Sequence, residues 1–395
     1  MVGLLEKTRT GSSKLLKWIN KAEILSQLKE HGQISRAELS KRTKLSRPCV
    51  SSLVEEMIEA GLICEVGIGH STGGRRPILL ECNYQAYAIV GAIFDGSLLQ
   101  MALTDLRGEV LADCETRLLS PFNGDEALQK LAAGLQILIE KSGYPRQRLL
   151  GIGVGLPGIT QRREGTISFS PSTGWTGLPV KQEIERKLGI PALIDNDVNL
   201  MALGEYVEGV GTGSATMVYL YVGTGIGSGI MIDGQLYRGG SEAAGEVGFM
   251  MIGPNSGNKL TGAGVFEQNY STAAILARAK GLLSGLDEGS SIIQQLIAYA
   301  NQGNTAAKQL LDDTYRHWAY GLANIVSVLN PDLLVLSGEM IHIDDKGVKQ
   351  ISELLEQSIP VMPRVKKAAL GNRAGMVGAV HSVLEAFFSA KLMKE

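Results

Sequence analysis

The chain has 395 residues, 44% of them hydrophobic and 20% charged, with a formal net charge of −2; such a length calls for two or three domains and such a composition for a soluble globular protein. No apolar run approaches the ~18 residues needed to cross a bilayer, and the opening MVGLLEKTRTGSSKLLKW has no apolar core with a small-residue cleavage site, so no secretion signal is read there. Four cysteines (Cys49, Cys64, Cys82, Cys114) lack CxxC or CxC spacing, which fits incidental thiols in a reducing cytoplasm.

The charge is uneven. Residues 1–86 hold 13 Lys/Arg against 9 Glu, and the remainder 25 against 31, so only the N-terminal part is basic, as a phosphate-binding module should be. Ile19, Ala22, Ile24, Leu25 and Leu28 recur at helical spacing until His31-Gly32 stops the helix. Ser35 then caps a second helix, Arg36 to Arg42, with Glu38 placed for a capping box. Ser46 caps a third, with Pro48 in its first turn, where a missing N–H costs nothing. Val50, Leu53, Val54 and Met57 form its buried stripe. Ser46, Arg47, Pro48, Ser51 and Ser52 lie on the outer face near its N-terminus, where a recognition helix meets base edges and phosphates.

Leu62–Val66 and Ile78–Cys82 read as strands joined by GIGHSTGGRRP. Its glycines let a hairpin tip approach a DNA backbone, and Arg75 and Arg76 can bond phosphates or enter the minor groove. The segment is therefore predicted to be a winged helix-turn-helix over residues 1–82, with Ser35 and Arg36 beside its DNA face. A trihelical bundle used for protein contacts is the plainer alternative.

From residue 83 to the end, short apolar strands alternate with helices. Ala88–Phe94, Met101–Asp105 and a run from Glu109 form three antiparallel strands, followed by a helix near Glu126–Ser142 and a buried strand at Leu149–Val154. Thr216–Val222 opens a second set, then GTGIGSG, then Gly229–Ile232. Two lobes of this kind imply an α/β, actin-like ATPase architecture with ligand in the cleft between them.

In order, the chain carries STGGRRP, TDLRGEVL (104–111), GLPG (155–158), DNDVN (195–199), YVGTGIGSG (221–229), GGSEAAGEVGF (239–249), NPDLLVLSGE (330–339) and AGMVGA (374–379). In that order and spacing it resembles the ROK family of repressors, unassigned frames and sugar kinases, in its repressor branch. The wing most resembles that of the xylose repressors. The resemblance implies a ligand-sensing and oligomerising body over 83–395, whose C-terminal helix returns to the first lobe. It also implies a homodimer or tetramer on an inverted-repeat operator of double-stranded DNA.

The resemblance further implies where a sugar and a nucleotide would sit. In family kinases Asn196 and Asp197 would bond sugar hydroxyls, Asp197 acting as general base; an Asx-type cap before Val198–Glu205 is the other use. Glu246 and Glu267 match two sugar-contacting glutamates, surface salt bridges being the alternative. The matching histidine is Phe249, whose ring suits stacking on a pyranose or a smaller pocket for a pentose. The family's zinc loop aligns with Asn258, Lys259, Leu260 and Val265, none of them a metal ligand, so no metal is expected there and packing by Leu260, Val265 and Phe266 would replace it. Gly223, Thr224 and Gly225 match the second phosphate loop, or serve as a hairpin. The first is spoiled: its metal-placing aspartate is Ile93, and its Gly-Gly-Thr is Asp95-Gly96-Ser97, which puts negative charge where a polyphosphate would lie.

The expectation is a cytoplasmic transcriptional repressor of a carbohydrate-utilisation operon, released from DNA by a sugar, with no catalytic residue and no cofactor. Two other classes stay open: a sugar kinase with a DNA-binding head, and a ligand-blind repressor governed by a protein partner.

Overall fold

The computed structural model describes residues 17, 20, 21, 23–69, 76–118, 124–170, 175, 177–254 and 263–394. The head opens with helix α1, described continuously over residues 23–31, then β1 (Ile34–Ser35), α2 (Arg36–Thr43), α3 (Arg47–Glu59), β2 (Ile63–Ile68) and β3 (Ile78–Cys82). The apolar stripe of α3 does face inward: Val50, Leu53, Val54 and Met57 join Ile24, Leu28, Leu39, Ile63 and Leu80 in one buried cluster. The sheet order is β1-β3-β2, all antiparallel. β1 is too short to carry periodicity and was not expected from sequence.

The body is two five-stranded sheets of matching design. In lobe 1, β4 (Ala88–Asp95), β5 (Leu98–Asp105) and β6 (Val110–Arg117) form an antiparallel meander, and β7 (Leu149–Leu156) and β10 (Ala192–Asn196) extend it in parallel beyond β4. Helices α4 (Gly124–Ser142) and α5 (Val180–Leu188) cover one face. A small hairpin, β8 (Ile159–Gln161) and β9 (Thr166–Phe169), rises from the end of β7. In lobe 2, β11 (Thr216–Val222), β12 (Ile226–Ile232) and β13 (Gln235–Leu236) repeat the meander, with β14 (Leu333–Gly338) and β15 (Arg364–Lys367) in parallel.

Lobe 2 is covered by α7 (Val265–Tyr270), α8 (Thr272–Lys280), α9 (Ile292–Asn301), α10 (Thr305–Leu329) and α11 (Asp345–Ser358). Alternation along β11 explains how one strand serves two layers. Val218, Leu220 and Val222 face the helical core around Trp318. Met217 and Tyr219 face the opposite layer, α6 (Asp197–Val207).

α6 and the last helix, α12 (Arg373–Lys394), form the middle of the body. They touch backbone to backbone: a Cβ on Gly204 would lie 1.9 Å from the Ala374 carbonyl oxygen, and one on Gly378 1.9 Å from that of Leu200. α12 also packs on β4 and β7, as a helix returning to the first lobe should. Farther along, its Val380 and Val383 meet Leu62 of the head and Ile89 and Leu106 of lobe 1 in one cluster. The element that braces the cleft is thus also the seat of the DNA head.

Several strand ends shift by a few residues from the sequence expectation (β2 runs Ile63–Ile68 and β5 starts at Leu98), and one shift bears on the site. β12 begins at Ile226 rather than Gly229, and Gly227 and Gly229 pair with Tyr221 and Tyr219 in register. The glycine at 229 serves packing, since a Cβ there would fall 2.2 Å from that of Ala202 on α6. Only Gly223, Thr224 and Gly225 remain as the turn.

Candidate functional site

The head presents its polar residues outward. Ser46 accepts the N–H of Cys49 at 3.4 Å and so starts α3. Ser46, Arg47, Pro48, Ser51 and Ser52 are all exposed, on the face opposite the buried stripe. Ser35 caps α2 by accepting the N–H of Glu38 at 3.2 Å. Two expectations change here. Glu38 does not close a capping box; its carboxylate lies 2.9 Å from Arg42, one turn on. Arg36 is held at 2.9 Å by Glu65 of β2, so it braces helix against wing instead of standing free for phosphate. Arg76 is exposed at the foot of the wing; Arg75 lies outside the described residues.

At the cleft, β10 runs straight into α6. Asn196 caps α6 through its side-chain oxygen, which accepts the N–H of Asn199 at 3.0 Å, while its amide donates to the Gly158 carbonyl at 3.1 Å. One N–H and one lone pair are left for a ligand. Asp197 follows, its Oδ1 accepting the Val198 N–H at 2.9 Å. Burial pushes the Asp197 carboxyl up to about 7; the charges of Asp95 and Glu246 push the same way, against the pull of the Val198 N–H. Burial likewise lifts Glu246 to about 7, with Glu267 adding to it. Burial raises Glu267 and Asp95 as well. Asp95 keeps contact with solvent at its hairpin yet sits deep enough between the lobes to be desolvated. The turn after β10, the β4 hairpin, the loop after β13 and α7 therefore bring Asp197, Asp95, Glu246 and Glu267 to one place.

Glu267 also fixes the glycine turn. Its Oε2 accepts the Ile226 N–H at 2.8 Å. A Cβ on Gly225 would stand 2.7 Å from that oxygen, so only glycine lets the carboxylate in. The turn is closed by the Gly223 N–H on the Gly225 carbonyl, 2.8 Å, and by the Thr272 N–H on the Gly223 carbonyl, 2.8 Å. Thr224 is exposed at its tip. Phe249 is 36% exposed, its ring 6.3 Å from that of Phe169 on β9 and edge-on to it. These two aromatics, one from each lobe, make an apolar wall beside the carboxylates. Val265 and Phe266 are buried in the lobe 2 core; Asn258, Lys259 and Leu260 lie outside the described residues.

The side expected to take a nucleotide is narrow. Ile93 is buried and packs with Leu200, Ala379 and Met376, between α6 and α12. A Cβ on Gly155 would come within 2.6 Å of its Cδ1, so the GLPG glycine makes room for this isoleucine. Tyr221 opens the YVGTGIGSG motif but was not singled out from sequence, because attention there fell on the glycines. Its hydroxyl lies where a Cβ on Gly223 would be 2.4 Å away, so the phenol overhangs the glycine turn. Burial pushes that phenol far above its ordinary range, and the nearby Asp95 and Asp197 charges add to the shift. The cavity bounded by Ile93, Asp95, Tyr221, Gly338 and Asn372 is about 170 Å³, below the ~300–1,000 Å³ of small-molecule sites. Gly96 and Ser97 form the exposed tip of the β4–β5 hairpin. A larger space, about 860 Å³, lies elsewhere: between Lys29 of α1, the β5–β6 hairpin and α12, where the head meets the body.

The comparisons with known proteins divide the chain in the same way. A model of the ROK family matches residues 95–386, and a model of winged helix-turn-helix DNA-binding segments matches residues 20–63. The chain is 32% identical over 388 residues to a putative xylose repressor of Caldicellulosiruptor sp. (strain Rt8B.4), covering 95% of this chain and 97% of that one. A solved ROK family transcriptional regulator, described as a homolog of the E. coli MLC protein, superposes with a TM-score of 0.81 at 24% identity over 96% of this chain and 100% of its own. A ROK family glucokinase from Streptomyces griseus, in complex with glucose and AMPPNP, gives 0.63 at 25% identity over 75% and 98%.

Proposed function

The chain belongs to the ROK family, and on that premise we propose that it is a DNA-binding repressor of a carbohydrate-utilisation operon, xylose being the first candidate effector. Residues 1–82 are the DNA head; residues 83–395 sense the sugar and hold the copies together. The observation that carries this reading is a pairing within one chain. A recognition helix with an exposed polar face is joined to a cleft that has kept three carboxylates, Asp197, Glu246 and Glu267, and put a buried isoleucine at the metal-placing position.

The sugar enters beside Asp197, Glu246 and Glu267, which accept hydrogen bonds from its hydroxyls, while Phe249 and Phe169 receive an apolar face. Asn196 contributes one remaining donor. Buried carboxylates are costly until donors reach them, so a polyol binds best where the lobes close fully on it. Closure moves α6, whose first residue is Asp197, and with it α12, whose Val380 and Val383 seat the head. In a dimer this alters the spacing of two recognition helices, and affinity for an inverted repeat falls. The sugar acts only as far as it prefers the closed state.

Catalysis is absent from this reading because Ile93 stands where the resemblance puts a metal-placing aspartate, and the Asp95 charge and the Tyr221 ring border the space a phosphate would need. One observation favours residual phosphoryl transfer: Asp197, lifted to about 7, is poised as a general base. Two assays separate the readings. In a gel shift of the full chain on DNA from upstream of its own gene, a panel of pentoses and hexoses should dissolve the complex with one sugar at low concentration. In a coupled ADP-release assay with the same panel and magnesium-ATP, turnover above background would restore the kinase reading.

A further inference from the structure

We infer that Arg238 is a positioning residue for the effector cleft, acting through an inter-lobe clasp whose centre is its ion pair with Asp195. This deepens the sugar-responsive reading and rests on it.

Asp195 ends β10 one residue before Asn196 and is 4% exposed. Its two oxygens have different tasks. Oδ1 accepts the Asn196 N–H at 2.9 Å and the Asn199 side-chain amide at 3.3 Å, which shapes the turn that presents Asn196 and Asp197. Oδ2 accepts from the Arg238 guanidinium, which comes from lobe 2 just after β13. Arg238 also lies near the start of the loop that ends at Glu246. That loop is pinned at both ends: the Ala244 N–H bonds to the Arg238 carbonyl at 3.0 Å, and the Gly245 carbonyl accepts the Ser228 N–H at 2.8 Å. One ion pair thus joins the turn bearing two of the proposed ligands to the loop bearing the third.

Two further bonds cross between the lobes beside it. The Gln161 side-chain amide donates to the Ser241 carbonyl at 2.8 Å, and the Arg162 N–H donates to the Glu242 carboxylate. Glu242 adopts a left-handed backbone with φ of 55°, an unfavourable conformation for a residue with a side chain; it directs the carboxylate to lobe 1. A largely desolvated ion pair gives little net stability, because desolvation offsets the attraction, and Asp195 Oδ2 has a second cationic neighbour in Arg162 of its own lobe, 4.0 Å away. A clasp of this kind can open, so cleft occupancy can bias it.

The test uses the full chain with D-xylose as probe. Arg238→Met should raise the xylose dissociation constant, measured by calorimetry, at least tenfold, and raise the concentration for half-release of operator DNA in parallel. Operator affinity without sugar should hold or rise, because open lobes keep the operator-binding spacing, whereas a merely structural lesion would lower it. Arg238→Lys should recover part of the sugar response. Small-angle scattering of sugar-free Arg238→Met should show a larger radius of gyration. Xylose affinity within twofold of the parent, or an unchanged radius, would overturn the clasp. If the parent binds no xylose, the xylose assignment fails and the scattering comparison alone decides the clasp. If Arg238→Met does not fold, Asp195→Asn with Arg238→Met leaves no unpaired buried charge and is judged by the same criteria.

Discussion

The head and the cleft treat their polar groups in opposite ways. On α3, Ser51, Ser52 and Arg47 face solvent, and only Ser46 is engaged, in its own cap. In the cleft, Asn196, Asp197 and Glu267 each hold a backbone N–H, and Asp195 is tied to the opposite lobe. The head awaits partners from outside. The cleft is already partly satisfied, so a ligand there adds few bonds and is better suited to tipping an equilibrium than to anchoring. A repressor needs that division: tight reading of DNA, and a modest, reversible response to its effector.

The contrast can be broken or sharpened by substitution. The largest effect is expected from restoring the missing aspartate. Ile93→Asp places a carboxylate among Leu200, Ala379 and Met376, and an uncompensated buried charge costs about 3–5 kcal/mol. Chemical denaturation should show that loss and ADP release should show no gain; robust turnover would mean that the narrow nucleotide side can open. Next comes Arg47→Ala, which should weaken operator binding by about 1–3 kcal/mol and reduce the salt slope by about one if the contact is to phosphate. Sugar affinity should not change, as read by anisotropy and calorimetry side by side.

Gly225→Ala reverses that pattern. The new methyl displaces the Glu267 carboxylate, and a lost bond to a charged group is worth about 1.5 kcal/mol, roughly tenfold in sugar affinity; operator binding without sugar should hold. The last effect concerns pH. The folded-state values of Asp197 and Glu246 are raised to about 7. The folded chain therefore holds these protons more tightly than the unfolded one, and their contribution to stability falls as pH rises from about 4 to about 7, then levels off. The melting temperature of Asp197→Asn relative to the parent should climb between pH 5 and 7 and flatten above. A constant difference would show that Asp197 does not titrate in that window.

The head was largely legible in the sequence because its signals are local. Caps, a proline in the first turn of α3 and a helical apolar stripe need only a few neighbouring residues, and Ser35, Ser46 and Val50 to Met57 act as their spacing implies. What was missed there, the Arg36–Glu65 pair, spans 29 positions. The cleft was legible chiefly through family motifs, and those motifs gave residue types without their partners. Phe169 and Arg238 carried no signal of their own, and Tyr221 stood only as the first letter of a glycine motif; the role of each came from a strand or loop brought together at the cleft.

The amino-acid order by itself determined a winged head, two lobes of repeated design and an isoleucine where a metal-placing aspartate would stand, since periodicity, capping and motif order are short-range properties of a chain. Only the tertiary structure decided that this isoleucine is packed between α6 and α12, that a phenol overhangs the glycine turn, and that Asp195 meets Arg238 across 43 positions. Those outcomes depend on distances between segments far apart in sequence, and such distances are fixed by the burial of both sheets against a shared pair of helices.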